Sequence, residues 1–299
     1  MTGGMPPTLR AGDRVALVAP SGPVEPRRLD RGADLLRSLG LDVVVGAHAY
    51  DRNGYLAGTD ADRAGDLQRA WCDPSVRGVA CARGGYGATR LLSLLDWPAL
   101  AAAGPKLLHG SSDITALHAA FAARLGVRTW FGPMPASLVL AEGEPEPVSW
   151  TALRGAWLDG EVPPLPGTHR LAPGVADGPL VGGNLSLLAA ALGTPYAGPT
   201  AAGAIVLLED VCEAPYRVDR MLTQLLDAGW FDGVAGIALG SWLDCGRPGG
   251  VLADRLGPLG VPVLAGLDVG HDVPQRTVPL GARAHLDADA LCLSFPPAR

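Results

Sequence analysis

The sequence predicts an α/β protein in which an N-terminal domain built on a parallel sheet joins a smaller, mixed α/β C-terminal domain. Three observations predict it. In the first half, apolar runs alternate with stretches of helical periodicity about every 30 to 35 residues. The runs are nearly continuous rather than alternating, as strands covered on both faces require. The texture then changes between roughly Ala141 and Gly178, where Pro, Gly and Glu dominate (EGEPEPV, then DGEVPPLPGTHRLAPG). The expected organisation is residues 1–145 as the first domain, 146–178 as a Pro/Gly-rich linker and 179–299 as the second domain.

The elements follow in order. Arg14 to Ala19 (RVALVA) reads as a strand, ended by the turn Pro20-Ser21-Gly22-Pro23. Arg27 to Leu39 has helical spacing and stops at Gly40, a residue suited to the left-handed position after a helix. Leu41 to Val45 is a β-branched strand, and Thr59 to Trp71 a helix closed by Asp73-Pro74. Val76 to Cys81 is a third strand, running into Arg83-Gly84-Gly85-Tyr86-Gly87. A helix at Ala88 to Leu95, a strand at Lys106 to His109 and a helix at Ser112 to Leu125 complete the first half. The linker holds one short helical pattern, Ser149 to Leu158. Beyond it, Gly182-Gly183-Asn184 opens a helix, Ala204 to Leu208 is a strong strand and Tyr216 to Ala228 a helix. Strands follow at Val234 to Leu239 and Val261 to Leu264, and the tail RAHLDADALCLSF reads as two antiparallel strands.

Composition narrows the function classes. The chain has 299 residues, 48% apolar and 18% charged, with 24 basic against 30 acidic side chains and a net charge of −6. That balance leaves no electrostatic footprint for nucleic acid. No run of about eighteen apolar residues exists, so no membrane partner is expected. The first residues lack a basic segment followed by an apolar one, so a cytoplasmic protein is expected. The 5 cysteines are scattered and never in C-x-x-C spacing, which argues against disulfides and zinc. Gly (41) and Pro (27) are abundant without low complexity, so many turns are expected.

Three loops fall past the carboxyl ends of strands, where ligands bind in such sheets. In Gly110-Ser111-Ser112-Asp113-Ile114-Thr115 a serine stands on a tight strand-to-helix turn. That geometry exposes a nucleophilic Oγ beside the next residue's N–H. Ile114 occupies the second Gly position of G-x-S-x-G, so the generic motif is half met. On this loop alone, Ser112 or Asp113 as an ordinary helix cap stays open. In Arg83-Gly84-Gly85-Tyr86-Gly87, three glycines let the backbone approach a ligand and present amides, with Arg83 or Tyr86 nearby. A plain tight turn is the alternative there. Of the 6 histidines, His109 and His118 fit a core and His271 stands in a Gly/Pro-rich loop suited to a general base. Glu209, Asp210 and Glu213, at or after a strand end, are the acids that could orient it. No metal-ligand spacing occurs, so neither a metal nor a cofactor is expected.

Together these segments resemble one family, the LD-carboxypeptidases, serine peptidases that include murein (muramoyl) tetrapeptide carboxypeptidases and the microcin C immunity proteins. The matching pieces are VALVAPSGPV, GYLAGTDADRAGDL, DPSVRGVACARGGYGATRLL, GSSDITALH, GGNLSLL, LLEDVCEAPYRVDRMLTQL and GHDVPQRTVPLGARAHLD. They run through nearly the whole chain, in order. The resemblance implies an N-terminal nucleophile domain, a C-terminal domain supplying Glu and His, and a homodimer. It implies Ser112 as nucleophile, His271 as base and Glu209 as the acid, with Glu213 as second choice. The backbone N–H groups of Gly85 and Asp113 would form the oxyanion hole, and Arg83, Tyr86, Asn184 and Glu213 are candidate substrate-binding residues. Ser111 departs from the larger, often aromatic residue that many members carry before the nucleophile. The implied reaction is cytoplasmic hydrolysis of the L,D-bond to the terminal D-Ala of a murein tetrapeptide, a small peptide, in cell-wall recycling. Two alternatives remain: a microcin-immunity-like hydrolase of peptidyl- or acyl-adenylates, and a non-catalytic two-lobed protein that binds small ligands.

Overall fold

The computed structural model describes residues 5–198 and 200–296. The first half winds as the apolar runs predict. β1 (Arg14–Val18), β2 (Asp42–Val45), β3 (Val76–Cys81), β4 (Leu107–Gly110) and β5 (Thr129–Phe131) pair in parallel. Alternate residues serve opposite faces, which is why the runs are continuously apolar. Ala16 and Val18 of β1 join a core with Trp71, Leu117 and Phe121 on one side. Val15 and Leu17 join Leu29, Leu36 and Trp157 on the other. The helices carry their own start signals: Glu25 caps Pro26–Ser38, and Thr59 caps Asp60–Cys72 by accepting from the Asp62 N–H. The stretch read as one helix from Ala88 to Leu95 is helical only over Ala88–Leu91, and a further helix, Trp97–Ala103, precedes β4.

The second half holds β6 (Leu165–Pro166), β7 (His169–Ala172), β8 (Val175–Asn184), β9 (Ile205–Val211), β10 (Gly236–Leu243) and β11 (Val263–Ala265). It ends with β12 (Val278–Leu280), β13 (Arg283–Asp287) and β14 (Cys292–Ser294). Among the described residues two sheets form, in the orders β12-β5-β4-β3-β1-β2 and β6-β14-β13-β8-β9-β10-β11-β7. The first is parallel except for β12, which pairs antiparallel with β5. The second has a parallel centre, β8 to β11, with antiparallel strands outside it.

Two features differ from the sequence expectation and matter for the site. The stretch 146–178 contains the helix Pro147–Arg154, the edge strands β6 and β7, and the start of β8. Its Pro and Gly residues suit edge strands, whose outer N–H groups need no ladder partner. β12 comes from the C-terminal half yet completes the first sheet, and its Val278 shares a core with Phe131, Ile205 and Leu207. The chain on either side of β12 is therefore held against both sheets.

Candidate active site

Ser112 begins the turn after β4 with φ 60°, the left-handed region that side chains avoid. Such a backbone costs roughly 1–3 kcal/mol and persists where its surroundings over-determine it. The surroundings are visible. Asp113 is buried, and its Oδ2 accepts from Ser21 Oγ at 2.6 Å and from the Ala88 N–H at 2.8 Å. The residue after the serine thus ties the turn to the loops following β1 and β3. Burial pushes the Asp113 carboxyl up, against the pull of these hydrogen bonds and of Arg63.

The glycine loop lies directly over the serine. A Cβ on Gly84 would stand 2.8 Å from Ser112 Cβ and 3.0 Å from Oγ. Gly85 has φ 113°, which only glycine adopts at low cost, and lies against Gly22. Gly84→Ala is expected to lower kcat by about 100-fold or more, since an ångström of misplacement at a reacting atom has that effect. Measuring kcat together with Tm checks it: a folded variant with unchanged kcat contradicts the close approach.

In the second half, Glu209 Oε2 receives the Nδ1–H of His271 at 2.6 Å. Glu209 is fully buried near the end of β9, whereas the His271 side chain keeps 21% of its exposure. Burial lowers the His271 pKa, but the hydrogen bond and charge of Glu209, with the charge of Asp210, outweigh it and hold the pKa above the ordinary imidazole value. Gly270, at φ 124°, makes room for this pair: a Cβ there would lie 2.7 Å from Glu209 Oε2. Ser241 Oγ accepts from the N–H groups of His271 and Asp272 at 2.8 and 3.1 Å, holding the loop at the end of β10.

A buried brace joins the two halves. The Asn184 N–H donates to Thr115 Oγ1 at 3.0 Å, three residues beyond the serine. The Asn184 carboxamide donates to Glu209 Oε1 at 3.3 Å and Asp210 Oδ1 at 2.9 Å, and Ser186 Oγ donates to its oxygen at 2.6 Å. Asn184 is only 2% exposed, so its amide is engaged inside the protein rather than at a ligand surface. Burial raises the Asp210 carboxyl to about 6.

The remaining candidates have partners of their own. Glu213 pairs with Arg217 at 2.5 Å, and the contact with the imidazole belongs to Glu209. Arg83 is half-buried, donates to the Pro23 carbonyl at 2.6 Å, and has its pKa lowered by burial and by Arg28 and Arg52. Tyr86 is 51% exposed, its ring 5.8 Å from that of Tyr55. His109 and His118 lie in the core, held neutral by burial at about 3 and about 4. His109 Nε2 donates to the Pro133 carbonyl, and its Nδ1 accepts from Trp157. Ser21, Thr115 and Ser241 support the site without having been singled out by any motif. Ser21 and Thr115 stood inside the turn 20–23 and the loop 110–115 without a role of their own, and Ser241 stood as a polar residue in the otherwise apolar run GIALGSWL.

A serine on a left-handed strand-to-helix turn, a buried Glu–His pair and glycines against the serine are parts that a serine-type hydrolase uses. Residues 15–132 match the LD-carboxypeptidase N-terminal domain and residues 177–286 its C-terminal domain; the chain belongs to this family. It is 54% identical over 298 residues to a Streptomyces coelicolor protein that carries a carboxypeptidase name, covering 97% of this chain and 95% of that one. It is 36% identical to the murein tetrapeptide carboxypeptidase of Pseudomonas aeruginosa, covering 93% and 94%. The solved structure of MccF with glutamyl sulfamoyl guanosine superposes with TM-score 0.88 at 26% identity, covering 99% of this chain and 98% of that one. The protein is a serine-type LD-carboxypeptidase.

Proposed function

We propose that the protein is a cytoplasmic murein tetrapeptide carboxypeptidase, acting in peptidoglycan recycling through Ser112, His271 and Glu209. The observation that carries this reading is the left-handed backbone of Ser112, a strain that a helix cap does not need. Ser112 Oγ attacks the carbonyl carbon of the L,D-bond while His271 Nε2 takes its proton. Glu209 keeps that nitrogen unprotonated beforehand, by holding the hydrogen on Nδ1, and stabilises the imidazolium afterwards. The N–H groups of Asp113 and Gly85 receive the oxyanion. The tetrahedral adduct collapses, the C–N bond breaks, and His271 gives its proton to the departing amine of D-Ala. Water, deprotonated by His271, then attacks the acyl-enzyme and frees the tripeptide and Ser112. Arg83, close enough to Arg28 and Arg52 for their charges to lower its pKa, supplies positive potential for the terminal carboxylate.

The experiment is release of D-Ala by the purified protein from murein tetrapeptide and from the same peptide ending in L-Ala. Release from the first alone is expected; equal release from both sinks the L,D-specific reading. The pH dependence follows from the pair. The base must be neutral and its pKa is raised, so the acidic limb of kcat/KM is expected above about 6.5. Asp210, which burial raises to about 6, lies beside the pair, and its charge adds to that of Glu209 in holding the His271 pKa up. A limb below pH 6 contradicts this.

Hydrolysis of an acyl-sulfamoyl nucleotide is the second reading, favoured by the structural match to MccF. The same three residues would serve it. Murein is preferred because sequence identity is higher to the Pseudomonas aeruginosa murein tetrapeptide carboxypeptidase, at 36%, than to the Escherichia coli microcin C7 self-immunity protein, at 27%. Among the described residues no helix is long and apolar enough to cross a membrane. The homodimer implied by the resemblance is checked by light scattering of the eluted peak.

A further inference from the structure

Arg63 stands in the first turn of the helix Asp60–Cys72, within the segment GTDADRAGDL, yet it is only 1% exposed. Burying a guanidinium is costly unless its donors are used. One branch, Nη1, donates to two backbone carbonyls, that of Pro20 in the turn after β1 and, at 3.1 Å, that of Gly87 in the glycine loop. The other, Nη2, pairs with Asp60 at 2.5 Å. Gly87 has φ 124°, and a Cβ there would stand 2.8 Å from Nη1, so this approach requires glycine. Asp113, also 1% exposed, makes the complementary contacts one residue further along each loop, accepting from Ser21 Oγ and the Ala88 N–H. A buried cation thus holds the carbonyls of residues 20 and 87, and a buried anion holds donors of residues 21 and 88. The two charges attract, and Arg63 draws the Asp113 carboxyl down against the effect of burial. Between these ties the Gly22 N–H donates to the Gly84 carbonyl at 3.1 Å, and Gly84 faces Ser112.

We infer that Arg63 is a positioning residue: together with Asp113 it locks the turn 20–23 to the glycine loop and so fixes Gly84 and Gly85 against Ser112. The inference rests on the reading of Ser112 as the nucleophile. Arg63 acts through the two loops, since it is buried beneath them and offers no surface to a substrate. Arginine suits the place because its planar fork serves the carbonyls with one branch and Asp60 with the other. A lysine ammonium is a single point on a flexible stem and cannot hold both sides in one geometry.

Release of D-Ala from murein tetrapeptide by Arg63→Lys tests it, with kcat, KM and Tm measured on the full chain. The folded variant is expected to lose about 100-fold in kcat, the effect of an ångström of misplacement at a reacting atom, with KM within about twofold of wild type. A merely structural arginine would lower Tm and leave the kcat of the folded protein unchanged. Should Arg63→Lys fail to fold, Asp60→Ala takes its place, because Asp60 is partly exposed and holds only the second branch of the fork. That variant is expected to lose about tenfold in kcat at unchanged KM, the effect of one lost charged hydrogen bond. Wild-type kcat in whichever variant folds, or a loss confined to KM, overturns the inference. A wild-type protein that releases no D-Ala defeats the murein reading instead, and the same comparison is then made on an acyl-sulfamoyl nucleotide. Silence of the wild type on both substrates overturns the inference together with the nucleophile reading.

Discussion

Ser112→Ala is expected to abolish release of D-Ala, with kcat reduced by about 10⁴-fold or more at unchanged fold. The size follows from the role. Without Oγ no acyl-enzyme forms, and only binding and the oxyanion donors remain to assist water. The fold should persist because the turn is secured by Asp113, through Ser21 and Ala88, rather than by the serine side chain. The measurement is single-turnover release of D-Ala alongside Tm. A folded Ser112→Ala protein with wild-type release would remove Ser112 from the chemistry.

Glu209→Gln should cost about 10³- to 10⁴-fold in kcat, although the shape is nearly conserved. A glutamine can turn its NH₂ toward Nδ1, which then becomes the acceptor, and the hydrogen moves to Nε2, where the base must be free. The change also removes the charge that holds the His271 pKa up, so residual activity should show its acidic limb at lower pH. The surrounding hydrogen bonds largely survive, because Asn184 can still donate to a carboxamide oxygen. A loss of stability with an unmoved pH profile would indicate a structural acid only. A lowered kcat with a shifted limb and an intact Tm is the signature of an orienting one.

The fold was legible where burial on both faces imposes a pattern. The runs RVALV, VRGVAC and LLHG lie between two cores, so their apolarity alone marks them as inner strands. The strands inside 146–178 were hidden for the opposite reason: β6 and β7 are short edges, where Pro, Gly and charge are tolerated. No local signal could announce that β12 leaves its own half to pair with β5, since three residues, VPL, fit either sheet. In the site, Ser112 stood out by its place on a strand-to-helix turn and His271 by its Gly/Pro-rich loop, and the glycines around them have a purpose: Gly84 of the neighbouring loop lies against the serine and Gly270 against Glu209. The choice between Glu209 and Glu213 depended on where β9 ends, and spacing does not set that to within a residue or two. The brace from Thr115 through Asn184 to Glu209 links distant segments, and each of its residues looks like a cap or a polar loop residue in isolation. Asn184 is in fact also a cap, accepting from Leu187 N–H, which is how a dual role conceals itself.

The central claim, murein peptide hydrolysis by this site, is tested most directly by a side-by-side kcat/KM. One substrate is a murein tetrapeptide ending in D-Ala and the other a peptidyl sulfamoyl adenylate, both given to wild-type protein and to Ser112→Ala. The tetrapeptide is expected to be turned over with the higher kcat/KM, and Ser112→Ala is expected to lose it. Turnover of the adenylate with an untouched tetrapeptide would contradict it, as would tetrapeptide hydrolysis that survives the loss of Ser112.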